Sequence, residues 1–204
     1  MTIQSPTIEA PTAVQPKLRF TPEEYFAHEE RAEYKSEYHN GEILPMTGGS
    51  INHNRIARNG LTLLTVQLQD SSCEPFGSDM RIWIADHQLC TYPDLAVICG
   101  EPLFYANRND TITNPVLIVE VLSPSTEDYD RGRKFQAYRT LPSLQDYLLI
   151  QQEAPLVEHF HKLDDGRWVL TELKQMTAAV ALEALKLELP LARIYERVDW
   201  EEQV

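Results

Sequence analysis

Two carboxylates in this chain stand where carboxylates cost energy. Asp94 follows Pro93 at the head of an apolar run that ends at Cys99, and Glu120 sits inside a second run from Val116 to Leu122. An ionised side chain in a strand that otherwise reads as buried must be paired or bound to a metal ion, because desolvating it alone is strongly unfavourable. Both runs are short, rich in β-branched residues and bounded by turn residues, so both read as central strands. Neighbouring strands would bring Asp94 and Glu120 to one ion, and carboxylate oxygens with water suit Mg²⁺ or Mn²⁺. The plain alternative is that Asp94 caps a strand end and Glu120 pairs with an arginine.

A cation is placed to join them. Ser125 followed by Asp128 reads as a capping box opening a helix that runs to about Leu141. Glu120 lies roughly 10 Å before the end of its strand segment at about 3.3 Å per residue. Lys134 lies roughly 10 Å into the helix at about 1.5 Å per residue. A helix folded back over the sheet therefore returns Lys134 to the level of Glu120, with Asp130 and Tyr138 on the same helical face. The alternative is an ordinary Asp-Lys pair on a solvated face.

The block Val119-Glu120-Val121-Leu122-Ser123-Pro124-Ser125-Thr126, with Pro93-Asp94 before it and Asp130, Lys134 and Tyr138 after it, resembles the PD-(D/E)xK nuclease superfamily. More narrowly it resembles the Uma-type restriction-endonuclease-like family, over roughly Phe20 to Val198, including Glu37 to Ile43, His53 and Asp146 to Ile150. The superfamily pattern puts a lysine two residues after the second acid, where this chain has Leu122; in the narrower family the lysine has moved to the next helix, which matches Lys134. The resemblance implies metal-dependent phosphodiester hydrolysis. Asp94 and Glu120 would hold Mg²⁺ or Mn²⁺ with the Val121 carbonyl, Glu37 would be a further ligand, and Lys134 would orient water or stabilise charge on phosphate. His53 matches a family histidine; a capping or surface role is its alternative.

The elements that must position these residues follow from local signals. Thr21, Pro22 and Glu24 predict a capped helix with Phe20 stapled to Tyr25. Asn40-Gly41 predicts a hairpin that puts Glu37 on a strand, and a longer helix is expected from about Ile51 to Gln69. Strands are expected at 73–77, 80–84, 91–99, 116–122 and 147–151, then a hairpin of 156–162 and 167–173, a strand through Leu185, Leu187 and Leu189, and a helix from Pro190 to Val198. The fold class is α/β: a restriction-endonuclease-like core in one domain, residues 18–204, with a mixed central sheet flanked by helices. Residues 1–17, with Pro6, Pro11 and Pro16, read as a disordered tail.

No apolar run is long enough to span a bilayer and the N-terminus lacks a secretory pattern, so no membrane is expected. Cys73, Cys90 and Cys99 have no metal-ligand spacing and read as reduced thiols of a cytoplasmic protein. The formal net charge of −13 opposes strong nucleic-acid binding. DNA as substrate is therefore expected to bind weakly and with salt sensitivity, through a cluster of Arg55, Arg58, Arg81, Arg131, Arg133 and Lys134. Cutting both strands of a duplex would favour a homodimer. Two other functions stay open: a non-catalytic binding or regulatory module on the same fold, and a hydrolase of another phosphate ester. His159 and His161 share one strand face and could bind a metal ion, but with no third ligand nearby they read as an exposed edge. Trp83, Trp168 and Trp200 are assigned to packing.

Overall fold

The computed structural model describes residues 19–200; the tail over 1–17 lies outside the described residues. Helix α1 (Pro22–Glu29) begins as its residue types dictate. The Thr21 hydroxyl accepts from Glu24 N–H at 3.2 Å, and Thr21 N–H donates back to the Glu24 carboxylate at 2.8 Å. Strands β1 (Ser36–His39) and β2 (Glu42–Pro45) form the expected hairpin. Its turn needs φ of +44° at Asn40 and +94° at Gly41, which is why this dipeptide stands there.

Helix α2 (Ile51–Gln67) starts at Ser50, whose hydroxyl accepts from His53 N–H at 3.1 Å. Strands β3 (Cys73–Gly77) and β4 (Arg81–Ile84) follow. The strand expected over 91–99 is two: β5 (Leu89–Thr91) and β6 (Leu95–Cys99) belong to different sheets. Pro93, which has no N–H to give a ladder, sits at the corner between them. After the two-residue β7 (Thr111–Ile112) comes β8 (Leu117–Leu122), buried along its whole length.

The next helix covers residues 127–138 in three pieces: Glu127–Tyr129 and Phe135–Tyr138 are α-helical, and Asp130–Lys134 between them is a π-helical turn. We call it the site helix. The expected Ser125/Asp128 capping box does not form. The Ser123 hydroxyl instead meets those of Ser125 and Thr126, each at 3.0 Å, and the Ser123 carbonyl accepts from Glu127 N–H. The chain ends with β9 (Asp146–Gln151), the hairpin β10 (Val157–Lys162) and β11 (Trp168–Leu173), β12 (Ala179–Leu182), β13 (Leu187–Pro190) and the helix Leu191–Ile194. That last helix is shorter than expected.

A six-stranded mixed sheet, β11-β10-β9-β8-β6-β3, carries the fold; β8 and β9 run parallel and its other neighbours antiparallel. Side chains alternate across it. On one face Leu95, Val97, Leu117, Val119 and Leu148 pack beneath Ile56 and Leu64 of α2. On the other, Ile118, Leu122 and Leu149 pack against Ala137 and Tyr138 of the site helix. Gly60 makes the first contact possible, since a Cβ there would lie 2.9 Å from Leu95 Cδ1. A second sheet, β2-β1-β5-β4-β7, delivers Glu37, and β12-β13 forms a separate ribbon.

Cys73 and Cys99 face each other across β3 and β6 and are disulfide-bonded, which corrects the expectation of three reduced thiols. Their registry as directly opposed residues is invisible in their sequence separation. Cys90 is a buried free thiol. Trp83 stacks with Tyr38 and Tyr105, and Trp168 meets the edge of Phe135.

Candidate active site

Asp94 stands at the entrance to β6, beside the middle of β8. Val121 N–H donates to its Oδ2 at 2.7 Å, so the carboxylate is pinned to the backbone of the strand that carries Glu120. His53, in the first turn of α2, places Nε2 at 3.3 Å from the same oxygen. Burial weakens protonation of His53, but the hydrogen bond and charge of Asp94, with the charge of Asp130, outweigh it and raise the imidazole above its ordinary pKa.

Lys134 projects inward from the π-helical turn. Its ammonium lies 2.9 Å from Glu120 Oε1, 3.2 Å from Glu37 Oε1 and 3.4 Å from Asp130 Oδ1, with all four side chains at least nine-tenths buried. Tyr138 Oη donates to Glu120 Oε1 at 2.8 Å. Burial pushes the Glu120 carboxyl well above the usual range; Lys134 opposes this, while Asp130 and Asp94 add to it. Burial likewise raises Asp130. For Lys134 burial favours the neutral amine, yet Glu120 and Glu37 hold the ammonium well above its ordinary pKa.

Glu37 reaches the group from β1. Thr91 Oγ1 donates to its Oε1, and Tyr129 Oη donates to Oε2 at 3.3 Å. The Tyr129 hydroxyl also meets His39 Nε2, and its ring lies 5.8 Å from the Lys134 ammonium. Glu37, His53, Asp94, Glu120, Tyr129, Asp130 and Lys134 thus border one cleft of about 430 Å³. The cleft shares Gly48, Gly49, His53 and Asp94 with a neighbouring recess of about 470 Å³ that also has Lys35 and Arg58 in its wall.

All five residues singled out in the sequence, Glu37, His53, Asp94, Glu120 and Lys134, line this cleft. Leu122, at the usual lysine position, is fully buried among apolar side chains. Three of the six residues of the expected basic cluster are paired with acids by the fold. Arg81 pairs with Asp110 at 2.8 Å, Arg131 with Glu127 and Glu158 at 2.8 Å each, and Lys134 with its three acids. Tyr129 and Thr91 escaped the sequence reading. A 3.6-residue period aligns Asp130, Lys134 and Tyr138, whereas the wider π turn also brings Tyr129, five residues before Lys134, toward the ammonium.

One ammonium faces three buried carboxyl groups, of which burial pushes Glu120 and Asp130 toward the neutral acid, and the potential ligand atoms of these groups are all oxygen. A hard divalent cation fits that ligand chemistry. Asp94, Glu120 and Glu37 are cleft carboxylates of that chemistry.

Residues 22–192 match the Uma2 family, whose description is "Putative restriction endonuclease". Two uncharacterized proteins of Synechocystis sp. are similar across nearly their whole length. The first, sll1609, is 46% identical over 167 residues, covering 82% of this chain and 94% of its own. The second, slr1290, is 43% identical over 188 residues, covering 91% and 95%. A crystal structure of "a putative nuclease belonging to DUF820" from Anabaena variabilis shares the fold with a TM-score of 0.71 at 17% identity, covering 86% of this chain and 97% of that one. Among the described residues, no helix is long and apolar enough to cross a membrane.

Proposed function

The chain belongs to the Uma2 family, and from that premise we propose that it is a Mg²⁺- or Mn²⁺-dependent endonuclease hydrolysing phosphodiester bonds of DNA. The observation that carries this reading is the buried Lys134 ammonium held within 3.4 Å of Glu120, Glu37 and Asp130 in the cleft that Asp94 also borders. When bound there, the ion supplies Lewis acidity, polarising a phosphoryl oxygen and acidifying water.

The protein's own groups do the rest. Asp94, held by Val121 N–H, and Glu120, held by Tyr138, present carboxylates from adjacent strands. Glu37 completes the anionic set from the second sheet. Lys134 keeps its proton and offers positive charge to the phosphate as negative charge develops on it. His53 orients Asp94 and can hold a proton at Nε2. The neighbouring recess carries Arg58 and also Lys35, which is paired with the exposed Asp79 at 2.5 Å, as the cations that would meet flanking phosphates. A second copy of the chain would supply the cut in the opposite strand.

The second reading is a non-catalytic binding module, favoured by the net charge of −13. Plasmid and single-stranded DNA incubated with increasing Mg²⁺ or Mn²⁺ separate the two. Wild type should nick and then linearise the plasmid while Asp94→Ala leaves it intact; equal results for both proteins would refute the nuclease reading.

A further inference from the structure

Asp146, His159 and His161 form a cluster on the opposite side of the six-stranded sheet from the cleft. Along β8, Glu120 shares its face with Ile118 and Leu122, beneath the site helix. Asp146 alternates with the other set on β9, Leu148 and Ile150, and the two histidines share the face of Val157 on β10. The antiparallel register sets His161 directly opposite Asp146, with His159 two residues along.

His159 Nε2–H donates to Asp146 Oδ1 at 2.7 Å and His161 Nδ1–H donates to the same oxygen at 2.8 Å. Asp146 is completely buried, and its other oxygen, Oδ2, has no hydrogen-bond partner. A buried carboxylate normally uses both oxygens, because each unsatisfied one forfeits its hydration. Two imidazoles crowd one oxygen here while the second stays orphaned.

We propose that Asp146, His159 and His161 are a three-ligand site for a borderline transition-metal ion, with Zn²⁺ the best match. Two imidazole nitrogens and one carboxylate oxygen are a zinc set, whereas Mg²⁺ disfavours imidazole. The three ligand atoms lie within 4.8 Å of one another. Tetrahedral ligands at about 2.1 Å from zinc stand about 3.4 Å apart, so side-chain adjustments of about an ångström close the set. Each imidazole shifts its proton to its other ring nitrogen, His159 to Nδ1 and His161 to Nε2, which frees the two nitrogens that face Asp146 for the ion, and the ion compensates the buried carboxylate. His161 is the most exposed of the three at 27%, which leaves the fourth position open to water from its side. Bound there, the ion cross-links β9 to β10 and has no part in the cleft chemistry.

The test uses untagged, metal-stripped full-length protein and Co²⁺ as a visible-absorbing probe, followed by Zn²⁺ displacement in a calorimeter. One Co²⁺ per chain should give d–d bands, be displaced by Zn²⁺, and persist in Asp94→Ala/Glu120→Ala. His161→Ala should weaken it at least 100-fold while keeping the wild-type circular dichroism; Asp146→Ala removes a buried group and could unfold, so the partly exposed histidine is the decisive position, with His161→Asn as its second variant. Co²⁺ binding by the histidine variants equal to wild type overturns the proposal. So does binding that vanishes with Asp94 and Glu120 alone, or no binding at all.

Discussion

The Lys134 ammonium stands 2.9 Å from Glu120 Oε1, tying the π-helical turn of the site helix to the middle of β8. Both groups are buried, so neither is satisfied by water, and each depends on the other and on the ring of partners around them. Removing one partner of such a pair leaves uncompensated charge in a low dielectric.

Lys134→Ala should therefore have two separable effects. Stability without added metal should fall by on the order of 3 kcal/mol, because three carboxylates lose their common cation. In DNA cleavage the loss should lie mainly in kcat, roughly 10²-fold or more, as when another electrostatic stabiliser is removed. Metal affinity should stay equal or rise, since the ammonium competes with the ion for the same oxygens. Lys134→Arg should not restore full activity, a planar guanidinium being unable to replace a compact ammonium among three acids. Cleavage by Lys134→Ala at the wild-type rate would remove the lysine from the mechanism.

Mg²⁺ should raise the melting temperature of the wild-type protein. An ion that binds only the folded state stabilises it by about 2.7 kcal/mol at 100 times its Kd. Mg²⁺ discriminates against imidazole ligands, so this shift reports the oxygen-lined cleft and not Asp146 and its histidines. Differential scanning fluorimetry of Asp94→Ala/Glu120→Ala should show no Mg²⁺ response; an unchanged shift would place the ion elsewhere.

Most of what positions this cleft was legible in residue order because it depends on local rules. The Thr21 cap, the Asn40-Gly41 turn and the apolar run around Glu120 each carry their signal within a few residues. The level of Lys134 followed from helix and strand rises alone. What was illegible depends on pairing between distant segments or on departures from regular geometry. Tyr92-Pro93-Asp94 looked like the interior of one strand, but it is the corner between two sheets. Arg81 and Arg131 looked available to a phosphate backbone until the fold brought Asp110 and Glu158 to them. Asp146 stands 13 and 15 residues before its two histidines, so only the β9/β10 register reveals the triplet.

The Asp110 ion pairs should give the fold an acid-sensitive component. Hydrogen bonding from Arg108 holds the Asp110 carboxyl down at about 2, against 3.8 for an unperturbed group. A pKa depressed by folding means stability that is fully present above the unfolded value and is lost as pH falls toward the folded one. The gap in melting temperature between wild type and Asp110→Asn should thus shrink as pH is lowered from 5 to about 2. A gap that widens in acid would contradict the assignment.

Thiol titration should count the cysteines by environment. Burial pushes the Cys90 thiol up to about 12, suppressing the thiolate that reacts, and Cys73 and Cys99 are held in their disulfide. Of the chain's three cysteines, the native protein should show none reactive, denaturation without reductant should expose one, and denaturation with reductant all three. Two fast-reacting thiols in the native oxidised protein would be incompatible with the Cys73–Cys99 bond.

Lys35 and Arg58 should set how tightly DNA is held without setting how fast it is cut. Both border the recess that continues from the cleft past Asp94 and His53, and neither contacts the Lys134 cluster. Each phosphate contact releases counterions and contributes a slope of about −0.9 to the dependence of log K on log salt for duplex DNA. Lys35→Ala/Arg58→Ala should raise KM, leave kcat near wild type, and flatten the salt slope by between about 1 and about 2, the lower end reflecting the Lys35–Asp79 pair. Binding measured by fluorescence anisotropy across a salt series checks the slope, and steady-state cleavage checks the split. A variant that lost kcat while keeping its salt slope would move these residues out of the DNA path and into support of the fold beneath Asp94.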